Sequence, residues 1–320
     1  MKNKDYLFAV ASLRARENEL LTKSDFEQLI SAESYEKAVS LLNDKGYEIS
    51  GDDYSSRLDE NLNEVWDYII KSAPEAEILK AFVVKNDFHN IKAILKSEVM
   101  NYSAEDYMLS PSIVSPQDMI EAISARDFKK LPDYISAAAE DAAQILAKTQ
   151  NAQLCDAVCD TAALEAMISL SEGGDEILKE YANIFCLSSN IKTAFRAIKT
   201  KKSSAFLNAS IAKNALLDKK EFISAALSGE DELSEFLKLK GFEEFAAAFE
   251  ESPSQFEKYC DDKMISIIKK SKMTVFGISP VAAYFLAKEN EIKCLRIILS
   301  AKQSRISNDI IRERMREAYV

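Results

Sequence analysis

Two short segments recur three times in this chain, always in the same order. Ile30-Ser31-Ala32, Ile123-Ser124-Ala125 and Ile223-Ser224-Ala225 are followed in turn by Asn90-Ile91-Lys92, Asn190-Ile191-Lys192 and Glu291-Ile292-Lys293. One tripeptide recurs by chance, but two ordered tripeptides at a common spacing of about a hundred residues mark one structural unit used three times. The recurrence extends outward from these anchors. An aspartate lies five residues before each Ile-Ser-Ala copy, at Asp25, Asp118 and Asp218. Thr22 and Ser115 stand three residues before the first two of these, the spacing of a capping box in which a hydroxyl accepts from an orphan backbone N–H of the first turn. Ala215 occupies that position in the third copy, so the cap there is either lost or moved to Asp218 itself. Pro116 falls just inside the second box, where its missing N–H costs nothing. A further evenly spaced set, Asp59, Asp160 and Asp261, lies between the anchors in apolar helical stretches.

The repeat divides the 320 residues into three domains, 1–108, 109–202 and 203–320, each large enough to bury its own core. Seven glycines and six prolines are few for this length, and neither Asn-Gly nor Asp-Gly occurs. Strands joined by tight hairpins need such turns. The expected fold is therefore all-α, three similar helical bundles from an internal triplication. Apolar spacing agrees. A leading helix over about 4–21 aligns Tyr6, Val10, Leu13 and Leu20, and a second, from about Asp25, carries Leu29 and Ile30. After a break near Glu33-Ser34, Tyr35, Ala38, Val39 and Leu42 form a stripe that Gly46 ends, and 51–56 reads as a loop. Leu58, Leu62, Val65, Trp66 and Ile69 define the next helix, stopped by Pro74. The three anchor helices carry Val84, Phe88, Ile91, Leu95 and Val99, then Ile184, Ile191, Phe195 and Ile198, then Phe285, Ile292, Leu295 and Leu299. Ser279 is the expected cap of the third, with Pro280 in its first turn, and a last helix begins at about Asn308.

Charge and chemistry narrow the function. A net charge of −11 disfavours nucleic acid as a partner, because phosphate binding needs an electropositive surface. No apolar run is long enough to span a membrane, the first residues do not resemble a signal peptide, and five scattered cysteines fit reduced thiols, so a cytoplasmic chain is expected. His89 is the single histidine, and its counterparts in the other copies are Ser189 and Asn290, which leaves no partner set for a catalytic triad. Cys155 and Cys159, one helical turn apart, are either half of a metal site or two packed thiols, and no second pair lies near in sequence. Gly173-Gly174 lacks the Lys-Ser/Thr of a phosphate loop and reads as a turn between helices. No catalytic, cofactor-binding or metal-binding residue is assigned, and no cofactor is expected. The repeated lysines Lys92, Lys192 and Lys293 either cover apolar surface while the ammonium reaches water or an acid of the same bundle, or form a pseudo-threefold ring about an axis. Basic groups at Lys199–Lys202, Lys269–Lys272 and Arg312, Arg314 and Arg316 are solvated faces or steer docking to an acidic partner.

Four segments carry a family resemblance: Tyr6-Leu7-Phe8-Ala9-Val10-Ala11-Ser12-Leu13-Arg14-Ala15-Arg16-Glu17-Asn18-Glu19-Leu20-Leu21, residues 85–96 around Asn86-Asp87-Phe88-His89-Asn90, residues 288–299, and the ending from Ile311 to Val320. Through them the chain resembles the C subunit of the archaeal and bacterial V-type (A-type) ATPases, the counterpart of the d subunit in the eukaryotic vacuolar enzyme. The stretch from about Ala137 to Gly229 matches only at Asn190-Ile191-Lys192. The resemblance implies a funnel of three helical domains without an active site of its own. It also implies a place on the cytoplasmic face of the membrane, seated on the proteolipid ring and receiving the foot of the central stalk in ATP-linked proton or sodium transport. A free-standing helical-repeat scaffold or adaptor is the alternative that the residues alone leave open.

Overall fold

The computed structural model describes residues 2–51, 53–100 and 102–320, with side chains from Tyr6 onward. Met1, at the expected chain start, and Asp52, inside the expected loop 51–56, lie outside the described residues. Among the described residues the fold is all-α, with no strand. The helices are α1 (Lys2–Glu17), α2 (Lys23–Ser31), α3 (Tyr35–Asn43), α4 (Tyr54–Ser72), α5 (Ala76–Leu79) and α6 (Val84–Met100). There follow α7 (Pro116–Ser124), α8 (Asp133–Thr149), α9 (Ala152–Ser171), α10 (Glu176–Lys199) and α11 (Ser204–Ser210). The remainder are α12 (Lys219–Ser228), α13 (Glu230–Leu239), α14 (Glu243–Glu251), α15 (Pro253–Lys269), α16 (Ser279–Gln303) and α17 (Asn308–Arg314).

The first two Ile-Ser-Ala copies close the short helices α2 and α7, the third lies within α12, which runs on to Ser228, and the caps follow the local sequence. Thr22 and Asp25 make a full capping box, Ser115 accepts from the Asp118 amide, and Asp218 accepts from the Lys220 and Glu221 amides. The third cap has thus moved to the aspartate. Two expected boundaries differ. The leading helix stops at Glu17, because 3-10-type bonds from Asn18, Glu19 and Leu20 to Ala15, Arg16 and Glu17 tighten its last turn and bring Leu20 and Leu21 into the core. Ser279 is the first residue of α16, not its cap; its hydroxyl donates to Asp175, and Ile278 takes the cap position without a side-chain bond. The apolar stripe of α6 ends at Leu95, and Val99 is exposed.

The chain gathers into two compact units, residues 1–76, 174–181 and 247–320 in one and 77–173 and 182–246 in the other. Within the first, α16 packs against α1, α3, α4, α15 and α17, and it is buried from Ser279 through Lys288. Trp66 of α4 meets Phe285 of α16 at 5.1 Å between ring centroids, a tilted pair that orients the two helices. Within the second unit α9 packs against α6, α8 and α11. Ala139, Ala142 and Ala143 of α8 and Ala157, Ala163 and Ala166 of α9 are all buried, and such small side chains let helix backbones come close. The alanine-rich composition of this stretch is therefore a packing feature.

Candidate functional site

The second tripeptide of each copy lies inside a long helix, α6, α10 or α16, and its first residue reaches a loop ahead of a short helix that carries Ile-Ser-Ala. Asn90 donates from Nδ2 to the Leu109 carbonyl at 3.0 Å and accepts the Leu109 amide on Oδ1 at 2.7 Å. Asn190 holds Ala212 in the same two-point way, both contacts at 2.9 Å. Leu109 lies ahead of α7 and Ala212 ahead of α12. An amide side chain offers one donor and one acceptor face, so it satisfies both backbone groups of one loop residue at once. Glu291 does the equivalent for the segment ahead of α2: it accepts the amide of Leu21, the residue just before the cap Thr22. The third anchor thus takes hold of the first repeat's lead-in.

A carboxylate only accepts, and the third joint supplies donors. Tyr47 donates its hydroxyl to Glu291, Lys288 donates to Glu291 at 2.7 Å and to the Tyr47 oxygen at 3.0 Å, and the Lys288 ammonium lies 4.6 Å from the Tyr47 ring centroid. The Lys288 and Glu291 side chains are 10% and 4% exposed, so the pair is desolvated. Burial, reinforced by the Glu291 charge, pushes the Tyr47 hydroxyl far above its ordinary range. Three residues before the anchor residue the copies carry Asp87, Leu187 and Lys288. Asp87 is fully buried and accepts the Ile113 and Val114 amides at 3.1 and 2.9 Å, while neighbouring Asn86 donates to the Pro111 carbonyl at 2.9 Å. Burial pushes the Asp87 carboxyl up to about 6 against the opposing pull of those amides. Leu187 is buried and apolar.

The evenly spaced aspartates also face anchor helices. Lys92 pairs with Asp160 and Lys96 with Asp156, both at 2.5 Å, joining α6 to α9. Lys293 pairs with Asp261 at 2.5 Å, joining α16 to α15, and Arg296 pairs with Asp59 of α4. Lys92 and Lys293 therefore follow the reading in which the ammonium reaches an acid. The basic ending also works internally. Arg312 pairs with Glu27 and Asp309, and Arg316, whose side chain is 7% exposed, donates to Asp261 at 2.8 Å. Arg314, the third of the group, is exposed. Beyond α17 the chain is a strap: the Glu317 amide donates to Asp262, Lys272 donates to the Tyr319 carbonyl at 2.7 Å, and the buried Tyr319 donates to Glu17 at 3.2 Å.

His89 bonds the Tyr107 carbonyl at 3.0 Å and is held below its ordinary range by burial and by Lys92. Cys155 and Cys159 are buried and hydrogen-bond one another, which lowers the first thiol and raises the second. Gly173-Gly174 forms the turn between α9 and α10. Sequence reasoning marked the anchors and the aspartates but missed Leu21, Tyr47, Asp87 and Lys288. A signal was present: Lys288 and Glu291 are an i,i+3 pair of opposite charges at helical spacing between the apolar Tyr284 and Leu295.

The profile of the family described as ATP synthase (C/AC39) subunit matches residues 9–314. The C subunit of the V-type sodium ATPase of Enterococcus hirae is 26% identical over 318 residues, covering 96% of this chain and 97% of that protein. The C subunit of the A-type ATP synthase of Methanocaldococcus jannaschii is 23% identical over 341 residues, covering 96% and 85%. The C subunit of the V-type ATP synthase of Thermus thermophilus is 22% identical over 205 residues, covering 60% and 63%.

Proposed function

This chain belongs to the ATP synthase (C/AC39) subunit family, a family of rotary ATPase subunits, and from that premise we propose that it is the non-catalytic socket of the central rotor. In this reading it joins the central stalk to the proteolipid ring on the cytoplasmic face of the membrane, as a peripheral subunit. Rotation driven by ATP hydrolysis, or by a proton or sodium gradient, passes through it. The observation that carries the reading is a family match spanning nearly the whole chain, with a relative covered almost end to end.

The physical features support it. A part that transmits torque must resist shear, and here helices distant in sequence are tied by buried joints and ion pairs such as Glu291 to Leu21 and Arg296 to Asp59. No helix among the described residues is long and apolar enough to cross a membrane, which agrees with a part that grips a ring from outside the bilayer. Met273, Leu239 and Phe8, exposed by 88%, 83% and 77%, leave apolar surface for partner subunits. The division 1–108, 109–202 and 203–320, arranged as a funnel, belongs to the same proposal.

Affinity capture from detergent-solubilised membranes, followed by mass spectrometry, tests it. Ring and stalk subunits are expected in the eluate. Capture of the chain alone would overturn the socket and favour the free-standing scaffold. Arg314→Glu is the informative surface variant, because Arg312 and Arg316 hold the fold and their reversal would confuse unfolding with lost docking.

A further inference from the structure

We propose that the segment 270–277 is a lipid-contact element, whose apolar tip enters a phospholipid surface while the lysines at its base meet the headgroup phosphates. The proposal deepens the rotor reading, on which the chain already sits against a membrane, and names the bilayer itself as a partner. After α15 the chain makes a 3-10 turn, Lys270–Met273, and then an irregular stretch up to Ile278. Met273, Val275 and Phe276 are exposed there, by 88%, 64% and 41%, although Ser271 and Ile278 on either side are buried. Three large apolar side chains gathered at one tip mark a contact, where scattered ones would not.

The segment is pinned from beneath. Arg14 of α1 donates from one nitrogen to the Ser271 carbonyl at 2.7 Å and to the Thr274 carbonyl at 3.3 Å, and the Thr274 amide donates to the same Ser271 carbonyl at 2.9 Å. Lys272 is tied at 2.7 Å to the Tyr319 carbonyl. Backbone groups satisfied in this way ask nothing of a partner. Acyl chains offer no hydrogen bonds, so a segment that enters them must pair its carbonyls from within, whereas a protein interface draws on roughly one hydrogen bond per 100–200 Å². The apolar surface also continues on α1, where Leu7, Ala11 and Arg14 share one face and the first two are exposed. Charge selects the same partner. The chain carries −11 overall, yet Lys269, Lys270 and Lys272 put three positive charges at the base of the tip. Lys269 pairs with Glu317 and Lys270 with Glu180, both at 2.6 Å, and these acids are solvent-accessible, so a phosphate can take the place of either. Lysine stems lying along apolar surface with the ammonium at phosphate height make an interfacial anchor.

Flotation of the purified full chain with protein-free vesicles, made of phosphatidylcholine and phosphatidylglycerol in equal parts, tests the proposal. The parent is expected to float, and the double variant Met273→Ser, Phe276→Ser to lose vesicle affinity by about tenfold at unchanged helical content. Leu239→Ser, at a similarly exposed leucine of the other compact unit, is expected to bind like the parent. Should the double variant fail to fold, Val275→Trp is read in its place. Its emission is expected to shift to the blue when vesicles are added and to be quenched by brominated acyl chains, over a constant background from the buried Trp66. A parent that does not float overturns the proposal, as does a double variant that floats equally well, an equal loss in Leu239→Ser, or a tryptophan that vesicles leave unchanged. The vesicles hold no ring or stalk subunits, so such a failure leaves affinity capture free to uphold the socket. Loss of ring subunits from the double variant's capture, with no vesicle binding by the parent, gives the segment to a protein partner and overturns the lipid contact.

Discussion

Asp87 illustrates what a single buried carboxyl does to the energetics of this chain. Its folded-state value is raised from an ordinary 3.8 to about 6, so between those two values the folded state binds a proton that the unfolded state has released. Stability contributed by this group is therefore greatest below about pH 4 and falls as the pH rises through 6. The Asp87→Asn variant should lack this slope. Comparing urea unfolding of the two proteins at pH 4 and pH 7, the parent is expected to lose up to about 3 kcal/mol relative to the variant. A difference that does not change with pH would contradict the assignment. Gly229 gives a second residue-scale expectation. It joins α12 to α13 with φ of +145°, and a Cβ there would lie 2.6 Å from a Glu232 carboxylate oxygen. The glutamate can swing away, but the backbone strain remains, so Gly229→Ala should cost at least about 1 kcal/mol by denaturant titration.

At the scale of elements, capping was legible in the sequence because it is local. Thr22 with Asp25, Ser115 with Pro116 and Asp118, and Asp218 in place of Ala215 all sit where the spacing puts them. Thr22→Ala should lower stability by about 1 kcal/mol, visible in thermal unfolding. The end of α1 was not legible, because the apolar spacing runs on to Leu20 and Leu21 while the backbone tightens at Asn18, and the Leu21 amide is held by Glu291, 270 residues away. The same limit applies to Asp59, Asp160 and Asp261, whose regular spacing stands out while their basic partners on α16 and α6 do not. The basic C-terminal cluster misleads for a related reason: a run of arginines looks alike whether it faces solvent or ties down a strap. The structure separates them, and the expectation follows. Arg316→Ala should destabilise the chain by about 1–3 kcal/mol, because it removes a charged hydrogen-bond donor from Asp261, whereas Arg314→Ala should stay within about 0.5 kcal/mol.

For the whole molecule, the all-α class was legible from scarce glycine and proline, and family membership from the anchors and the two ends of the chain. The joints were not, since hydrogen-bond partners far apart in sequence leave no local signature. The proposed role of this chain is to pass rotation from stalk to ring. The most direct measurement uses inverted membrane vesicles from cells lacking the chain, with ATP hydrolysis and the ATP-driven proton and sodium gradients recorded together, before and after the purified protein is added. Hydrolysis without ion transport, with transport restored on addition, is the predicted result. Full transport in the absence of the chain would contradict the account.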